Sequence, residues 1–133
     1  MPVEPAPLVL YVEDDPAVCD LGVTALEEGG YRVTAVDSGA AAIALLETPG
    51  ADFVALVTDI DLKGDSSGWD VARRARELFC DLPIIYVSGA SGHEWPSRGV
   101  PGSIMLAKPF ALAQMVVAVA NVSLGAQSDL GGA

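Results

Sequence analysis

Acidic residues are concentrated where apolar runs stop. Glu13, Asp14 and Asp15 follow the run Leu8–Val12, and Asp59 follows Phe53–Thr58. The run Pro83–Ser88 ends in a hydroxyl, Ser88, and Lys108 comes just after Ser103–Leu106. If these runs are parallel strands of one sheet, all of these groups emerge at its carboxyl edge, where ligands bind in open α/β folds. Carboxylates crowded into a partly desolvated crevice repel one another strongly unless a cation lies among them. For Glu13, Asp14 and Asp59 the natural complement is a hard divalent ion held by oxygens, and a few carboxylates with retained waters is the pattern of Mg2+. Asp15 has a different task. It precedes Pro16 as a helix-capping carboxylate precedes a proline at the first helical position.

The elements that must position these groups are legible from periodicity. Five short apolar, β-branched runs (Leu8–Val12, Tyr31–Val36, Phe53–Thr58, Pro83–Ser88 and Ser103–Leu106) suit strands buried on both faces. Helix-like segments lie between and after them: Pro16–Glu28, Gly39–Glu47, Trp69–Phe79 and about Ala111–Leu124. Gly29-Gly30 supplies a stop after the first helix, and Asp37-Ser38 reads as a turn and cap. In the third helix Val71, Ala72, Ala75, Leu78 and Phe79 share an apolar face. The alternation predicts an α/β protein with a doubly wound, five-stranded parallel sheet. Between Gly89 and Gly102 the residues Gly92, Pro96, Gly99 and Pro101 disfavour a full helix, so the fourth helix is expected to be short or irregular. Residues 1–7 read as an N-terminal extension, 8–124 as the domain, and 125–133 as a disordered tail.

Composition narrows the classes of function. The chain has 133 residues, the length of one domain, with 7 basic and 18 acidic side chains and a net charge of −11. That balance argues against direct binding of nucleic acid and against docking to anionic lipid. Apolar residues make up 51%, enough for a core. Cys19 and Cys80 have no metal-type spacing and read as free thiols. The N-terminus lacks a basic segment, and the apolar stretch Ala111–Val122 is too short to span a bilayer, so a cytoplasmic location is expected.

Four motifs, in order, resemble the receiver domain of two-component response regulators. They are Val12-Glu13-Asp14-Asp15-Pro16, Leu56-Val57-Thr58-Asp59-Ile60-Asp61-Leu62, Tyr86-Val87-Ser88-Gly89 and Ala107-Lys108-Pro109-Phe110. Each motif alone is weak, whereas four at successive strand ends are strong. The resemblance covers about Leu8 to Leu124 and implies a flavodoxin-like receiver fold. It also implies that Asp59 is the phosphoacceptor, supplied by a sensor histidine kinase or a histidine phosphotransfer protein. On the same footing, Asp14 would ligate Mg2+ directly, Glu13 through water, and Asp61 by its backbone carbonyl. Ser88 would turn inward to hydrogen-bond the phosphoryl oxygen, and Lys108 would pair with Asp59 and then with the phosphoryl group. A cis peptide before Pro109 belongs to the same pattern. Such a set suits phosphoryl transfer, which is mostly positioning and charge neutralisation.

The chain departs from the family in three places. Lys63 stands where proline is usual, the loop after Asp59 is a residue longer than is common, and Met105 replaces the switch aromatic. Activation is therefore expected to act by changing the order of Gly89–Gly102. With nine residues after Leu124, output is expected through an unidentified protein target, onward phosphotransfer or action as a phosphate sink. The receiver is expected to catalyse no more than its own phosphorylation and dephosphorylation. The alternative is a Mg2+-dependent haloacid-dehalogenase-type phosphatase using Asp59 and Asp61 as its DxD pair, although in that family the DxD follows the first strand. A flavodoxin-like cofactor binder fits less well, because three acids occupy its phosphate-cradling loop.

Overall fold

A computed structural model describes residues 6–89, 91–108 and 112–131, with side chains described as far as Val122. The expected cis peptide before Pro109 lies outside these residues, as does most of the N-terminal extension. Five strands, β1 (Leu8–Val12), β2 (Arg32–Val36), β3 (Ala55–Asp59), β4 (Ile84–Ser88) and β5 (Ile104–Ala107), form one parallel sheet ordered β2-β1-β3-β4-β5. The helices are α1 (Pro16–Glu28), α2 (Gly39–Glu47), α3 (Gly68–Leu78), α4 (Trp95–Arg98) and α5 (Leu112–Gly131).

Strand alternation explains the unbroken apolar runs. Leu10, Val12, Leu56, Ile84 and Tyr86 face a core shared with α2, α3 and Trp95. Val9, Tyr11, Val57, Ile85 and Val87 face the opposite core, built with Leu26 of α1 and Met115 and Val119 of α5. Both faces are covered, so the central strands are apolar on both sides along most of their length. The order reverses between β1 and β3, which opens the crevice at their carboxyl ends.

Local chemistry sets the helix starts. Asp15 accepts hydrogen bonds from the amides of Ala17 and Val18 at 3.0 and 3.2 Å, with Pro16 opening α1. Ser38 caps α2 by accepting from Ala41 N at 3.1 Å. Ser67 and Asp70 form a reciprocal capping box at the start of α3. After α1 the left-handed residue is Gly30, at φ 98°.

Two expectations need correction. Helix α5 runs from Leu112 to Gly131, past the end near Leu124 expected from the sequence. Gly125 alone costs a helix about 1 kcal/mol, and no proline follows to stop it. Phe79 caps α3 in an extended conformation and is 36% exposed, so it leaves the apolar face assigned to it. The segment 91–102 is short and irregular as expected, and it is pinned. A single 3-10 turn (Gly92–Glu94) leads into one turn of α4. Trp95 Nε1 donates to Ser103 Oγ at 2.9 Å, Val100 N donates to the buried Tyr86 hydroxyl at 3.1 Å, and Arg76 donates to the carbonyls of Leu82 and Pro101. The Arg98 guanidinium lies 5.4 Å from the centroid of the Trp69 ring.

Candidate functional site

Strand ends place the acids. Val12 closes β1 in register with Thr58 of β3, which puts Glu13-Asp14 beside Asp59. The amide of Glu13 continues the ladder by donating to Val36 O at 3.1 Å, and Ile60 N does the same to Val87 O at 3.0 Å. One carboxylate oxygen from each of Glu13, Asp14 and Asp59 lies within 4.8 Å of the others. Glu13 and Asp59 are buried, 3% and 6% exposed, so their repulsion is poorly screened by water.

Main-chain amides hold each carboxylate. Asp15 N donates to Glu13 Oε2 at 3.1 Å, Asp61 N to Asp59 Oδ1 at 3.1 Å, and Lys63 N to Asp14 Oδ2 at 2.9 Å. The loop carrying those last two amides returns tightly. Gly68 N donates to Ile60 O at 2.9 Å, and a Cβ on Gly68 would stand 2.2 Å from the Asp59 carbonyl oxygen. Only glycine fits there.

Lys108 arrives from β5, its amide donating to Ser88 O at 2.8 Å. Its ammonium lies 3.2 Å from Asp59 Oδ2 and 3.3 Å from Glu13 Oε1. Burial works to lower the Lys108 pKa, but the charges of Asp59 and Glu13 outweigh it and hold the group above its ordinary value. Glu13 is raised, first by burial and then by Asp59, against the opposing pull of the Asp15 amide and Lys108. Three ionised carboxylates against one ammonium leave two negative charges, which is the charge a divalent cation supplies. An all-oxygen donor set of this kind fits Mg2+.

The structure thus brings Glu13, Asp14, Asp59 and Lys108 together. Asp61 and Ser88 sit alongside in a second set. Asp61 contributes its amide to Asp59, but its carboxylate turns to Ser88 Oγ, which donates at 3.1 Å, and to Ser91 Oγ, which donates at 2.6 Å. The Asp61 carboxylate is thus engaged with two serines, which lends no support to a DxD phosphatase pair with Asp59. Ser91 was missed in the sequence, where its only signal was a second serine three residues after Ser88. The Lys63 amide was missed as well, since that residue registered there as a departure from the family.

The comparisons agree with this geometry. The model of the response regulator receiver domain matches residues 9–120. The receiver protein CpdR of Brucella abortus is 34% identical over 120 residues, covering 89% of this chain and 98% of that protein. A receiver protein of Sinorhizobium medicae superimposes with a TM-score of 0.88 at 41% identity, covering 91% of this chain and 97% of that one. Sensor kinase CckA of Brucella abortus is 33% identical over 114 residues, and this chain spans 12% of its length. Among the described residues no helix is long and apolar enough to cross a membrane. With the acid cluster at the β1/β3 crevice and the match running through nearly the whole fold, the chain belongs to the response regulator receiver family.

Proposed function

We propose that Asp59 accepts a phosphoryl group from a phosphohistidine of a sensor kinase or histidine phosphotransfer protein, in a Mg2+-dependent step. A carboxylate oxygen of Asp59 attacks phosphorus, the phosphorus–nitrogen bond breaks, and the imidazole leaves. Asp14 would hold the metal directly, Glu13 through water, and Asp61 by its backbone carbonyl. The metal's contribution is to neutralise charge on the transferring group. Lys108 stays by Asp59 and stabilises the phosphoryl oxygens, and Ser88 gives them its hydroxyl hydrogen bond. Signalling then passes to another protein by contact or onward transfer.

One observation carries the reading. Asp59 is nearly buried with one oxygen on the Asp61 amide and the other on Lys108, within reach of two further carboxylates. An acid in that position has no structural task that a neutral residue would not perform at lower cost. The test is incubation with acetyl phosphate and Mg2+, read by intact mass and by sensitivity of the adduct to hydroxylamine. The wild type gains one phosphoryl group and Asp59→Asn gains none. Equal labelling of Asp59→Asn overturns the assignment.

A further inference from the structure

Ser91 lies outside the acid cluster, yet it is tied to the one hydroxyl that the proposed function requires. Three hydrogen bonds close a ring. The amide of Ser91 donates to Ser88 Oγ at 2.7 Å, the Ser88 hydroxyl donates to Asp61 Oδ2 at 3.1 Å, and the Ser91 hydroxyl donates to Asp61 Oδ1 at 2.6 Å. The donors are one amide and two hydroxyls, and the Asp61 carboxylate accepts from both hydroxyls. A serine hydroxyl carries a single proton. While the Ser88 hydroxyl donates to Asp61, it does not donate to a phosphoryl oxygen on Asp59.

The geometry points to Ser91 as a positioning residue that, through Asp61, stores the Ser88 hydroxyl in the unmodified protein. Phosphorylation and the Asp61–Ser91 pair then compete for the same proton. This inference rests on the receiver reading above and adds to it a device for regulating the site. Asp61 is exposed, so its carboxylate needs a second donor to hold a fixed orientation toward Ser88, and Ser91 Oγ is the shorter of its two hydroxyl contacts. Ser91 also opens the 3-10 turn that leads into α4. Turning the Ser88 hydroxyl from Asp61 to a phosphoryl oxygen would therefore loosen the start of the segment 91–98. The signal leaves the site by release of this ring, and no ring flip at position 105 is required.

Ser91→Ala is the discriminating variant because it removes the second donor without altering charge. Asp61→Ala would in addition remove a negative charge near an anion site. The readout is calorimetric titration with beryllofluoride and Mg2+, a phosphoryl mimic, alongside amide exchange of 91–98 without the mimic. Ser91→Ala is expected to bind the mimic about three- to tenfold more tightly, the range for loss of one partly exposed hydrogen bond. Its 91–98 amides exchange faster, and Ser91→Thr, which keeps the hydroxyl, behaves as wild type. Unchanged or weaker binding by Ser91→Ala overturns the inference. Failure of the wild type itself to bind the mimic would instead overturn the receiver chemistry, so the two failures are distinct.

Discussion

The carboxyl ends of β1 and β3 and the segment 91–103, which runs from the end of β4 back to the start of β5, are held by opposite means. At β1 and β3 the acids are fixed by strand register and by main-chain amides of residues 15, 61 and 63. Along 91–103 main-chain hydrogen bonds close the local turns, while side chains make the ties Ser91 to Asp61, Trp95 to Ser103, Tyr86 to Val100 and Arg76 to Pro101. Main-chain scaffolding survives most substitutions, whereas a side-chain tie is lost with one atom. A site that must hold its geometry and a segment that must change are thus built from different materials.

The sharpest way to break this contrast is to make one change in both regions. Gly68→Ala drives its Cβ against the Asp59 carbonyl oxygen and Ile60 Cα, backbone atoms that cannot rotate away. The expected loss is about 3 kcal/mol or more of stability, together with loss of phosphorylation. In Gly92→Ala the new methyl meets only the flexible end of Met105, with Cε at 3.0 Å. Its stability is expected to stay within about 0.5 kcal/mol of wild type. Urea midpoints measure both, and similar shifts for the two variants would dissolve the distinction.

An intermediate effect is expected from Tyr86→Phe, which strips the acceptor from the buried Val100 amide. The cost is about 1–2 kcal/mol, since the orphaned donor pays its desolvation in full. Faster amide exchange should be confined to 95–103. Exchange that rises equally across β1 and β3 would show that the segment is not a separate unit.

A smaller effect than that of Gly68→Ala or Tyr86→Phe, and a stabilising one, belongs to the acid cluster. Burial raises the Glu13 pKa, so the folded chain takes up a proton that the unfolded chain has already released. The stability from this group is complete below its unfolded pKa and is lost as pH rises through the folded one. In metal-free buffer at neutral pH, Glu13→Gln should therefore raise Tm by about 3 °C and flatten the acid-side pH dependence. A lower Tm would mean that the Lys108 contact outweighs the burial of Glu13.

Much of the acid edge was readable in the sequence for the same reason that it is robust. Parallel strands buried on both faces leave continuous apolar runs, and the residues that follow must emerge at one edge. That placed Glu13, Asp14, Asp59 and Lys108 before any contact was known. Helices α1 and α2 announced their limits through Asp15-Pro16 and Ser38. The Asp61–Ser88–Ser91 ring was not readable, because it joins side chains 27 and 30 residues apart through a loop whose path no period encodes. The Tyr86–Val100 tie was hidden too, since a tyrosine in an apolar strand looks like packing alone. The end of α5 was misjudged because glycine and serine content was weighed above the absence of a proline.

Lys63 gives the departure from family habit a different meaning. A proline there has no N–H, and Asp14 would lose the 2.9 Å hydrogen bond it now accepts. The contribution is blind to what lies beyond the α-carbon, so the position can drift through the other amino acids without disturbing the carboxylate beneath it. In such a lineage the exposed side chain at 63 is free to be recruited for telling one partner from another, while the chemistry under it stays the same.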